Sequence, residues 1–166
     1  EDLSRGLGDV YKRQLKTRTA LGYTLATGFL FSPFVGYLSS SQQIFADGYG
    51  KKDEFPLLFA SLALTFGVAS LVNARLVYRY GLKRLCFASV SVITGLSGIF
   101  LLGILGMDKM PPLWLFMGYM MIIFPGIGFL FGNLNALAME PLGHIAGVGA
   151  AMIGSLSSLI SIPLGI

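Results

Sequence analysis

Charged side chains disappear from four long intervals of the chain, Thr19 to Ala46, Phe55 to Ala74, Leu85 to Met107 and Met110 to Met139. A helix crossing a hydrocarbon core of about 30 Å needs about twenty apolar residues. A Lys, Arg or Asp at its centre costs roughly 2.5 to 3.5 kcal/mol on the insertion scale. Charge-free intervals bounded by charged ones therefore predict membrane crossings. A fifth apolar run starts near Ile145 and is still running at Ile166, which predicts a chain cut through a helix. The expected spans are about 19–41, 56–74, 85–107, 112–137 and 145–166. The fold class is all-α, a polytopic membrane protein.

Composition supports that pattern: 54% hydrophobic, 12% charged, mean hydropathy +0.73. A soluble domain carries about a quarter of its residues as charges. The net charge of +4 does not imply a nucleic-acid partner, because the cations are sorted by loop and not gathered into one patch. Lys12, Arg13, Lys16 and Arg18 precede the first span, and Arg75, Arg79, Lys83 and Arg84 fill the connection between the second and third. The other two connections, with Asp47, Lys51, Lys52, Asp53 and Glu54 and with Asp108 and Lys109, carry no cationic excess. The positive-inside rule then predicts cytoplasmic faces for the first pair. The fourth connection, around Glu140 and His144, fits by parity alone.

Residues 1–14 lack a helical apolar face, and Asp2 to Gln14 resembles a read-through peptide of adaptor-like DNA at the ends of translated fragments. This stretch is set aside as a non-native leader. The membrane domain is 15–166. Cys86 has no cysteine partner in the chain.

Three local patterns bear on mechanism. The segment Asn73-Ala-Arg-Leu-Val-Tyr-Arg-Tyr-Gly-Leu-Lys-Arg-Leu85 suits a tight cytoplasmic turn. In it Gly81 supplies a positive φ, and Arg79, Lys83 and Arg84 are within reach of lipid phosphates or helix C-terminal carbonyls. It reads either as a charge anchor or as a gate between bundles. Two rows of small residues run down the fifth span, Gly143, Gly147, Ala151, Ser155 and Ala146, Ala150, Gly154, Ser158. They allow close backbone approach, as a static seam or as a sliding surface. Pro33 and Pro125, the latter in Phe124-Pro-Gly-Ile-Gly128, interrupt the first and fourth spans and either kink them or line a cavity.

These residues together resemble the major facilitator superfamily, in particular its bicyclomycin-resistance and chloramphenicol-efflux type of drug:proton antiporter, over Leu15 to Ile166. Gly36-Tyr-Leu-Ser-Ser-Ser-Gln-Gln-Ile-Phe45 is similar to the exit of the family's seventh helix. Phe55-Pro-Leu-Leu-Phe-Ala60 is similar to the start of the eighth. The stretch Asn133 to Gly154 resembles the junction of the tenth and eleventh. The loop motif Asn73, Arg75, Arg79, Gly81, Lys83 and Arg84 resembles the degenerate second-half copy of the cytoplasmic loop motif. It departs from that motif at Tyr78, where an acid is expected, and at Ala74, where a glycine is, so no carboxylate latch carries over. The resemblance implies a partial six-helix bundle of the major facilitator fold, comprising helices seven to eleven of the carboxy-terminal half.

The substrate-cavity candidates are the polar and aromatic residues within spans: Tyr23, Thr27, Tyr37, Gln42, Tyr119, Asn133 and Asn135. Amides orient a ligand on an adaptable aromatic surface; the same groups also serve as bonds between helices or as interfacial tyrosines. Gly143, Gly147, Ala150, Ala151 and Gly154 are the helix-packing or gating candidates. No span carries a mid-membrane acid for a proton relay, and the resemblance assigns coupling to an absent amino-terminal bundle. Nothing suggests a nucleophile triad, a metal or another cofactor. Glu140 and His144 read as a structural cap.

The reading is a non-enzymatic fragment of an inner-membrane multidrug efflux carrier. Its expected partners are the bilayer, the missing bundle, an amphipathic drug-like substrate and protons. A facilitator for another small molecule and a five-span scaffold subunit are the alternatives.

Overall fold

The computed structural model describes residues 18–107, 109–140, 154–156, 158–160 and 162–163. Every described element is helical. Four helices follow one another, α1 (Arg18–Gln43), α2 (Phe55–Tyr80), α3 (Leu82–Ile104) and α4 (Leu113–Met139). All four are long and apolar enough to cross a membrane. Residues 154–156, 158–160 and 162–163 are helical as well. The leader 1–14 and the candidates Gly143, Gly147, Ala150 and Ala151 lie outside the described residues, as does His144.

The helices depart from the charge-free intervals at informative points. A π-turn, Ile44–Gly48, prolongs α1, with the Tyr49 N–H reaching back to the Ile44 carbonyl at 3.2 Å. α2 continues past Ala74 to Tyr80, so Arg75 and Arg79 are helical. Long cationic side chains extend to the interface while their backbone keeps its helical bonds, so the helix outlasts the apolar run. The expected loop of Asn73 to Leu85 thus reduces to two helix ends joined at Gly81, whose φ is +80°. Pro33 and Pro125 both sit inside unbroken helices.

The chain forms two compact units, whose boundaries fall within α1 and α4. Among its described residues, the first unit comprises α1 up to Tyr37, α4 from Phe131 and the helical residues near the carboxy terminus. Phe31 stacks on Phe131 at 4.6 Å, and Ile160 packs against Gly28. The buried face of α1 here is small and polar, with Ala20, Thr24, Thr27 and Ser32, whereas the exposed positions include Leu25 and Phe29. Lipid rewards large apolar side chains outside as well as protein does inside, so helix contacts select small residues and hydroxyls instead.

The second unit, Leu38–Leu130, centres on α4. Gly128 lies against the Phe66 ring of α2, and Gly126 lies against Ile93 of α3. The Pro-Gly-Ile-Gly stretch therefore accommodates a bulky neighbour on either side. Pro125 lines a groove with α2 and another with α3, while Pro33 is exposed. At the end near the π-turn, fully buried Phe45 gathers Tyr49, Phe55 and Phe116 at 5.8 to 6.3 Å. The Tyr49 hydroxyl donates to the Pro111 carbonyl at 2.9 Å, tying the 49–54 connection to the start of α4. Burial pushes the Tyr49 phenol up from its usual value.

Candidate functional site

The most polar buried region is in the first unit. Thr24 and Thr27 each donate to the carbonyl one turn earlier, Ala20 and Tyr23, at 2.8 Å. Such bonding lets a hydroxyl enter an apolar bundle without the cost of an unmet donor. Asn133 of α4 is only 1% exposed. Thr27 is one turn before Phe31 and Asn133 is two residues beyond Phe131, so the Phe31–Phe131 stack pins together the parts of α1 and α4 that carry them.

The other cavity candidates are distributed differently. Tyr23 and Tyr37 are half-buried on α1. Asn135 is half-buried and its Nδ2 donates to the Phe131 carbonyl at 2.8 Å, within its own helix. Gln42 and Tyr119 belong to the second unit, where Gln42 is exposed. Tyr119 shares a 2.8 Å hydrogen bond with Ser97 of α3 and stacks on Phe100 at 4.1 Å and 12°. It therefore clamps α3 to α4. Ser97 escaped the sequence analysis because a serine in an apolar run has no distinguishing neighbours. Thr24 and Ser32 were also missed, although the spacing Ala20, Thr24, Thr27 marks one helical face. In the basic motif, Asn73 is half-buried while Arg75, Arg79, Gly81, Lys83 and Arg84 are exposed, and so is Gly154 near the carboxy terminus.

The Ser97–Tyr119 bond lies at the head of a groove of about 420 Å³ lined by apolar residues of α3 and α4, among them Leu96, Ile99, Ile104 and Trp114. Interhelical polar bonds in membranes average about 0.6 kcal/mol and reach about 1.7 kcal/mol. A double-mutant cycle on Ser97→Ala and Tyr119→Phe, read by unfolding in mixed micelles, is expected to give a coupling in that range. Additive single effects would mean that the bond contributes nothing.

Among the described residues no group of three or more His, Cys, Asp or Glu is placed to hold a metal ion.

The chain is similar to a protein of Bacillus subtilis (strain 168) named "Uncharacterized MFS-type transporter YdgK", with 28% identity over 148 residues, which cover 88% of this chain and 36% of that protein. The chain thus spans well under half the length of the curated relative it matches. No protein-family model matches it, and no solved structure does. Four membrane-length helices and that likeness make this a multi-pass membrane protein similar to a transporter of the major facilitator type.

Proposed function

We propose that the chain is the carboxy-terminal half of a multidrug efflux carrier of the bicyclomycin-resistance and chloramphenicol-efflux type, working in a bacterial inner membrane by alternating access with proton antiport. The observation that carries this reading is the likeness to an MFS-type transporter across 88% of the chain, together with helices of membrane length. In a carrier of two such halves, substrate binds near the midplane and the halves rock about it. Helices α1 to α4 contain no Asp or Glu; in this reading, following the resemblance, the proton-coupling acid belongs to the partner bundle of the same carrier. Here the chain supplies an apolar, aromatic and amide-bearing surface suited to an amphipathic cation or neutral drug.

Asn133 is the residue on which this proposal is most exposed to test. Placed in the full reading frame and expressed in cells stripped of their own efflux pumps, the carrier is expected to lower ethidium accumulation. Collapse of the proton gradient should abolish that effect. Asn133→Ala should change the ranking of extruded compounds by about tenfold for at least one of them, the value of about 1.4 kcal/mol at the site, with expression unchanged. Unaltered selectivity with lowered stability would make Asn133 a packing residue. Extrusion of a metabolite alone would favour a facilitator of another small molecule, and no flux of any compound would favour a scaffold.

A further inference from the structure

We infer that the α2–α3 junction is a binding site for the phosphate groups of anionic phospholipids, built from Arg75, Arg79, Lys83 and Arg84. The four cations are all exposed. From Phe55 to Met107 the chain contains no Asp or Glu, so their counter-charge does not come from their own helices. Among the described residues the ion pair is Lys51–Glu54, at 2.6 Å, and it lies at the other end of α2. A helix of 26 residues separates the two ends by roughly 39 Å at 1.5 Å per residue. The contrast between those ends is the core of the argument: Lys51 and Lys52 stand among Asp47, Asp53 and Glu54, whereas the junction cations stand among none.

The helix dipole does not account for them either. Arg79 is in the last turn of α2, where a cation is favoured, but Lys83 and Arg84 are in the first turn of α3, where it is disfavoured, and no acid is there to offset them. No acid of α2 or α3 balances these four cations, which leaves them open to an anion of the surroundings. Both helices are of membrane length, so this junction meets the headgroup layer, where clusters of four or more basic residues attract anionic lipid. The immediate surroundings suit that depth. Tyr78 is 96% exposed and Tyr80 46% exposed, as expected of rings in the headgroup belt, and the Arg79 guanidinium lies 5.4 Å from the Tyr80 ring centroid. That contact holds the planar fork ready for two phosphate oxygens. The one-residue connection at Gly81 joins the end of α2 that carries Arg75 and Arg79 directly to the first turn of α3 with Lys83 and Arg84.

The test uses the full chain in phosphatidylcholine bilayers doped with spin-labelled phosphatidylglycerol or spin-labelled phosphatidylcholine, with the motionally restricted fraction read by electron paramagnetic resonance. A preference for phosphatidylglycerol is expected, falling as salt shortens the screening length. Lys83→Gln with Arg84→Gln should reduce it by about fivefold or more. Lys83→Arg with Arg84→Lys should retain it, and Lys51→Gln with Lys52→Gln should leave it unchanged. No preference in the unaltered chain, a preference indifferent to salt, or one that survives loss of Lys83 and Arg84 would each overturn the proposal. So would one that vanishes with Lys51 and Lys52.

Discussion

Gly28→Leu is expected to destabilise the first unit by about 1 to 3 kcal/mol, toward the upper end of the usual cost of overpacking. A Cβ placed on Gly28 would stand 2.9 Å from the Ile160 Cβ and 3.1 Å from its Cδ1 and Cγ2. The nearest of these atoms is bonded directly to the backbone, and a β-branched side chain has little rotamer freedom in a helix. Relief therefore requires the helix segments themselves to part, which loosens the Phe31–Phe131 stack nearby. Gly28→Ala should show a smaller loss, partly recovered by Ile160→Ala, because that change removes the two contacts at 3.1 Å and leaves the one at 2.9 Å. Gly22, also on α1, has nothing within 4 Å of such a Cβ, so Gly22→Ala should be neutral or slightly favourable through helix propensity. Unfolding of the purified chain by added dodecyl sulfate in mixed micelles measures all four variants. If Gly28→Leu behaves like Gly22→Ala, the Gly28–Ile160 contact does not hold the unit together.

Gly81→Ala acts through the backbone alone and is expected to cost about 1 to 3 kcal/mol. Gly81 has φ +80° and ψ +155°, a region essentially confined to glycine because a Cβ collides with the adjoining peptide. Nothing else lies within 4 Å of a Cβ built there. Side-chain size should therefore matter little: Gly81→Ser should cost nearly as much as Gly81→Ala. The strain is relieved only if α2 and α3 change their joint, so the loss should appear as hydrogen exchange in the last turn of α2 and the first of α3. Gly98→Ala, in open space within α3, provides the opposite sign, a neutral or slightly stabilising change. Equal stability of the Gly81 and Gly98 variants would show that the positive φ is not required.

The spans were legible in the sequence because their signal is local and large. Each missing charge between Phe55 and Ala74 or between Leu85 and Met107 reflects a transfer cost paid residue by residue, independent of what the helix packs against. Gly81 was legible as the turn residue because glycine takes a positive φ at little cost, whereas the contraction of the connection to that one residue was not. Helix ends were less so: Arg75 and Arg79 read as loop because hydropathy reports depth in the membrane, whereas backbone hydrogen bonds continue to Tyr80.

The packing faces were not legible from hydropathy at all. In water an apolar stripe marks the inside of a helix, but in lipid Phe29 faces out and Thr24 and Thr27 face in, and both arrangements satisfy the same hydropathy. Asn133 and Asn135 look equivalent along the chain, two residues apart. Only the tertiary structure separates them, with Asn133 buried and Asn135 returning its amide to the Phe131 carbonyl. Tyr119 is a cavity candidate by polarity alone; the tertiary structure adds Ser97 and Phe100 beside it and the groove it lines, and places Phe66 and Ile93 against the glycines that follow Pro125. The sequence by itself determined a helical, multi-pass membrane chain with a basic connection turning at Gly81, because desolvation of charge acts on each residue alone. Which hydroxyl, amide or glycine meets which neighbour was decided only by the tertiary structure, because a contact distance belongs to two helices and is written in neither.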